Sequence, residues 1–93
     1  MANHNSYYDG AVQSISFERN GRKLSTGVFE PGDYNFGTDD GPERVSVTSG
    51  ELNARFDGET WKTYPAGSTF EVAGGVKFDV RIEATTSYLL EYL

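Results

Sequence analysis

Ninety-three residues, 37% of them hydrophobic, suffice for one small folded core, while a formal net charge of −6 leaves no concentrated basic patch for nucleic acid. The chain has no cysteine, which excludes a disulfide framework and thiolate chemistry. With no apolar run long enough to span a membrane and no secretory h-region, a cytoplasmic protein with one domain over 1–93 is expected.

In chain order, residues 1–6 are polar, carry the sole histidine, His4, and show no periodic pattern, so a flexible tail is expected there. Beyond it, short segments rich in β-branched and aromatic residues alternate with Gly, Pro, Asn and Asp about every eight to twelve residues. Strands are expected at 11–17, 25–30, 33–38, 44–48, 52–56, 60–64, 69–73, 77–83 and 87–93. The segments between them carry Asn20-Gly21, Pro31-Gly32-Asp33, Asp39-Asp40-Gly41-Pro42, Ser49-Gly50, Asp57-Gly58, Ala66-Gly67 and Gly74-Gly75. Glycine supplies the positive φ of tight turns and Asn or Asp tolerates it, so these connections read mostly as hairpins. Alternation is clearest around Val45 and Val47, which share one face with polar neighbours on the other. About nine short antiparallel strands without a crossover helix fit an all-β, closed or nearly closed barrel, which removes exposed edges.

Two glycine-framed spacings resemble the cupin motifs. Gly32, Thr38, Asp40, Glu43 and Gly50 follow the first, with Thr38 and Asp40 where histidines stand in cupins and a gap to Glu43 that is one residue short. Gly67, Ala73, Gly75 and Phe78 follow the second, with Ala for the proline and Phe for the metal-binding histidine. The resemblance implies a cupin jelly-roll barrel. A hydroxyl, carboxylates and a phenyl ring make a poor first-row metal site, so no metal is expected.

Over nearly its whole length the chain is similar to a narrower family, the small bacterial pyrimidine/purine nucleoside phosphorylases. The similarity is carried by Tyr8 and Gly10, Gly27-Val28, Gly32 with Tyr34, Phe36 and Thr38, Pro42-Glu43, Val47 with Ser49-Gly50, and Leu52-Asn53. Farther on it is carried by Trp61, Ala66-Gly67-Ser68, Phe70, Val72, Phe78, and Thr86-Ser87-Tyr88-Leu89 with Tyr92-Leu93. The resemblance implies a homodimeric enzyme that cleaves many nucleosides with inorganic phosphate to free base and ribose 1-phosphate, without a cofactor.

Phosphorolysis passes through an oxocarbenium-like sugar, so its site needs a phosphate cradle, negative charge near the sugar and help for the departing base. If Glu43 and Phe78 point inward, period two places Tyr34, Phe36, Thr38, Val45, Val47 and Val80 on the inner face. Glu43 is the first candidate catalytic residue, stabilising the oxocarbenium or holding ribose hydroxyls; it otherwise caps a turn or pairs with an arginine. Thr38 is the second, as a donor to phosphate or ribose, or is simply a strand threonine. Tyr34, Phe36, Phe78 and Tyr88 offer faces on which any base can stack, or else are core. Asn53, a polar residue mid-strand, serves the site or a dimer contact, and Trp61 suits a dimer contact.

Phosphate is harder to place, because no arginine has inward parity. The candidates are Arg22, with Arg19 and Lys23 around the Asn20-Gly21 turn, and Arg81, with Arg55, on outward parity. An anion nest at Gly74-Gly75 is a further option. The same fold also suits a non-catalytic binding module for a nucleoside, sugar or other small metabolite, or a dimerising interaction protein with Trp61, Tyr88 and Tyr92 as contacts.

Overall fold

The computed structural model describes residues 2–38 and 41–93, and Asp40 of the first motif lies outside them. The described residues form ten strands and no α-helix. They are β1 Asn3–Tyr7, β2 Val12–Arg19, β3 Arg22–Phe29, β4 Gly32–Gly37, β5 Glu43–Ser49, β6 Glu51–Phe56, β7 Lys62–Pro65, β8 Thr69–Val72, β9 Lys77–Ile82 and β10 Thr86–Tyr92. All the pairings are antiparallel.

The strands make two sheets, a six-stranded one ordered β1-β2-β3-β10-β5-β8 and a four-stranded one ordered β4-β9-β6-β7. The all-β antiparallel architecture is as expected, and where a closed or nearly closed barrel was expected the strands form two facing sheets that no strand ladder joins among the described residues. The cause lies in the connections. From β3 onward only the β6-to-β7 connection stays within one sheet, so turns that read as hairpins are corners at which the chain changes sheet. Gly50 shows why such a corner needs its residue: it sits at φ 84°, and a Cβ there would lie 2.5 Å from Oγ1 of Thr86. Thr86 is fully buried, and its hydroxyl lies within hydrogen-bond distance of the Glu51 carbonyl, 2.9 Å, which ties this corner to β10.

The N-terminal tail is corrected to a strand. Asn3–Tyr7 pairs residue for residue with β2, from Asn3 against Ser16 to Tyr7 against Val12. Its side chains are exposed or half-buried, so it carries no apolar signal and is held by its backbone, as suits a polar edge strand. His4 meets Oε1 of Gln13 at 3.0 Å on this edge. Tyr8 and Asp9 then take positive φ, 52° and 55°, and the Tyr8 hydroxyl donates to the Asn35 carbonyl, 2.7 Å, and accepts from the Asn35 amide, 3.1 Å. That clasp fastens the chain's start to the open edge of β4.

The core lies between the sheets and is built from alternate residues of each, chiefly Val12, Val47, Leu52, Ala54, Val72, Val80 and Ile82. At one end aromatic rings replace aliphatic ones: Phe29 lies 4.8 Å from Tyr88 and 5.7 Å from Phe36, centroid to centroid.

Candidate functional site

The inward face of the six-stranded sheet is organised in cross-strand rows. Glu43 pairs with Tyr92, so these two line one end of the space between the sheets, and the exposed Lys23 ammonium stands 4.8 Å over the Tyr92 ring, outside that lining. Two residues further along, Ser25, Leu90 and Val45 form the next row. After it come Ser14, Gly27, Tyr88 and Val47. The opposite wall is Phe36 of β4 paired with Phe78 of β9, which in turn pairs with Phe56 of β6.

These walls enclose a cavity of about 280 Å³, close to the lower size of small-molecule pockets. Glu43, Phe36, Phe78 and Tyr88 all line it, so four of the sequence-derived candidates converge there. Ser14 and Ser25, 5% and 4% exposed, add hydroxyls to the same wall, as do Tyr7 and Tyr92 at its ends. No Lys or Arg is in the lining, which makes the interior a site for neutral polar groups and flat rings. Lys23 lies outside it, over the ring of Tyr92 at the end where Glu43 sits.

Tyr88 is the most perturbed group. Burial pushes its hydroxyl up to about 12, and the carboxylate of Glu43 and the phenols of Tyr92 and Tyr7 push the same way. A hydrogen bond from the Ser14 side chain pulls in the other direction. Tyr88 is therefore a neutral phenol at any physiological pH, with the Ser14 side chain beside its oxygen.

The remaining candidates lie elsewhere. Thr38 is buried, but its hydroxyl donates to the Ala73 carbonyl at 2.7 Å and accepts from the Val76 amide at 3.1 Å, fastening the β8–β9 turn. Tyr34 donates to the Glu30 carbonyl at 2.6 Å, and burial followed by the Glu30 and Asp33 carboxylates raises its hydroxyl. Asn53 faces outward, donating to the Arg81 carbonyl at 3.0 Å and accepting from Thr63 at 2.6 Å. Arg81 pairs with Asp33 at 2.9 Å and lies 4.6 Å from the Trp61 ring, whose other contact is Arg55 at 4.8 Å. Arg22 is exposed at the start of β3. The structure thus brings neither Arg22 nor Arg81 to the cavity wall.

A larger cleft of about 900 Å³ opens beside Phe78 and holds Arg55 and Lys77, but Asp57, Glu59, Glu71 and Asp79 share it. Asp79 is held below the usual carboxylate range by the Asn35 amide and then by Arg55. Four carboxylates against two cations repel an anion, so this cleft is the poorer site for phosphate. Among the described residues no three His, Cys, Asp or Glu side chains group as metal ligands.

Sequence reasoning passed over Ser14, Ser25 and Tyr92 as site residues and gave Lys23 no separate role. The available signal was parity: Ser25 shares its strand face with Gly27 and Phe29, and Lys23 continues that face to the strand's start.

A protein-family model described as Pyrimidine/purine nucleoside phosphorylase matches residues 2–92. A relative of that name from Sorangium cellulosum (strain So ce56) is 52% identical over 94 aligned residues, covering 100% of both chains. Another of that name from Vibrio vulnificus (strain YJ016) is 49% identical, again with 100% of both covered. The crystal structure of a protein of unknown function from Vibrio parahaemolyticus superposes with a TM-score of 0.95 at 41% identity, covering 100% of this chain and 99% of that one.

Proposed function

Because this chain belongs to the pyrimidine/purine nucleoside phosphorylase family, we propose that it transfers the pentosyl group of both purine and pyrimidine nucleosides to phosphate, releasing free base and ribose 1-phosphate. The observation that carries this is the convergence of Glu43, Phe36, Phe78 and Tyr88 on one cavity, with Lys23 over the ring of Tyr92, a residue of its lining. Four residues of strand separate Tyr92 from Tyr88, about 14 Å, which seats phosphate, sugar and base in line.

Phosphate sits at the mouth beside Lys23, with Arg22 next in sequence adding positive potential. The sugar lies against Glu43 and Ser25, where the carboxylate stabilises positive charge growing at C1′ and accepts from ribose hydroxyls. The base goes inward against Phe36, Phe78 and Tyr88, because stacking tolerates any base. Thr38 and Tyr34 act on this site by holding the turn and the strand that carry its walls, and Asn53 and Arg81 by tying β6 to β9 on the outer face.

The cavity is a cupin jelly-roll interior in which the ligand positions have been reassigned, with Glu43 serving the sugar and Phe78 the base. The reaction accordingly runs without a metal. Incubation with uridine or adenosine and phosphate is expected to release free base equally with and without chelator. Absence of base release from several nucleosides would overturn the enzyme in favour of a binding module, and loss with chelator would overturn metal independence.

The chain acts as a homodimer through the outer face of the six-stranded sheet. There Ile15 and Val28 are 46% and 41% exposed, and Leu89 joins their patch through its pairing with Thr26, itself the partner of Ile15. Sedimentation of the wild type as a monomer would contradict this; Ile15→Lys is expected to convert dimer to monomer.

A further inference from the structure

The Tyr88 ring does not merely wall the cavity. Tyr88 on β10, Gly27 on β3 and Ser14 on β2 stand side by side across three strands, all facing inward. A Cβ built on Gly27 would fall 2.7 Å from the Tyr88 hydroxyl oxygen and 2.8 Å from its Cζ, so the phenol crosses β3 only because that position has no side chain. Lying there, it reaches the hydroxyl of Ser14, which hydrogen-bonds the phenolic oxygen. Tyr88, 8% exposed, lines the cavity, and its hydroxyl is free to turn its proton either toward Ser14 or toward whatever the cavity holds.

We infer that Tyr88 is the hydrogen-bond donor to the leaving base, with Ser14 and Gly27 as its positioning residues, and that this one donor serves both base classes. The inference rests on the phosphorolysis proposed above and adds the basis of its breadth. In a pyrimidine nucleoside the carbonyl oxygen O2 lies beside the glycosidic nitrogen; in a purine nucleoside the ring nitrogen N3 lies in the equivalent place. Both are acceptors, and both gain negative charge as the bond breaks. A single phenol at that spot stabilises either departing base without reading the rest of the ring.

The bookkeeping closes. The C1′–N bond breaks with its electron pair going to the base, and an oxygen of hydrogen phosphate bonds to C1′. The base then gains the proton that hydrogen phosphate gives up, and Tyr88 keeps its own throughout. Its contribution is a hydrogen bond that strengthens as charge develops.

The test compares uridine with 5-fluorouridine, whose more acidic base leaves more readily without help. Tyr88→Phe keeps the ring and removes the donor. It is expected to lower kcat for uridine by about 10²-fold and for 5-fluorouridine markedly less, so that sensitivity to the leaving group rises. Ser14→Ala is expected to show the same trend more weakly, with the phosphate KM unchanged. If the wild type turns over and Tyr88→Phe slows both nucleosides by the same factor, or neither, the inference is overturned while the phosphorylase stands. If the wild type releases no base from either nucleoside, both fall together.

Discussion

Glu43 and Lys23 both neighbour Tyr92, the first by strand pairing and the second over its ring, and their proposed roles separate by substrate. Glu43→Gln preserves shape and removes charge. It is expected to lower kcat by about 10²-fold or more with the thermal midpoint retained, and wild-type turnover would remove Glu43 from the site. Lys23→Met is expected to raise the phosphate KM roughly ten- to a hundredfold, the size of one charge-assisted hydrogen bond of about 1.5–3 kcal/mol, while leaving the nucleoside KM nearly unchanged. Glu43 was legible in the sequence because a carboxylate inside a glycine-framed aromatic stretch is costly to bury without a partner. Lys23 was not separable from Arg19 and Arg22, since three cations around one turn look alike until the fold sets one of them over Tyr92.

Strand positions followed from the sequence because alternation and turn residues are local signals, and most of the expected spans lie within a few residues of those observed. Sheet membership did not follow, because Ser49-Gly50 or Ala66-Gly67 has the same composition whether it closes a hairpin or turns a corner. β2 carries a conflicting signal: Ile15 and Phe17 share the more apolar parity, yet Val12 and Ser14 are the buried face and Ile15 is 46% exposed. The serine that positions Tyr88 was thus hidden on what reads as the wet side. At the Gly50 corner the demand is steric as well as conformational. Gly50→Ala is expected to destabilise the protein by about 2 kcal/mol or more, read as a fall of roughly 10 °C in Tm; an unchanged Tm would contradict the Thr86 contact.

At the scale of the whole molecule, two sheets of unequal size leave one end of their interface rich in rings, and the cavity follows from that mismatch. Burying Tyr88 in it makes stability depend on alkaline pH. The unfolded chain ionises this tyrosine near its ordinary value of about 10, whereas the folded chain holds the proton to about 12. Between those values the unfolded state binds fewer protons, so the stabilisation is intact below the lower value and lost as pH rises through the upper one, by up to about 1.4 kcal/mol per pH unit. Denaturant midpoints measured at pH 9 and pH 11 should differ less in Tyr88→Phe than in the wild type; equal differences would mean that Tyr88 is not buried as described.

The most direct measurement is a crystal structure of the protein with ribose 1-phosphate bound. The sugar is expected between the two sheets, with its phosphate toward Lys23, its hydroxyls on Glu43 and its C1′ facing Tyr88. Density for the ligand in the charged cleft of Arg55 and Lys77, with the cavity between the sheets empty, would contradict the assignment.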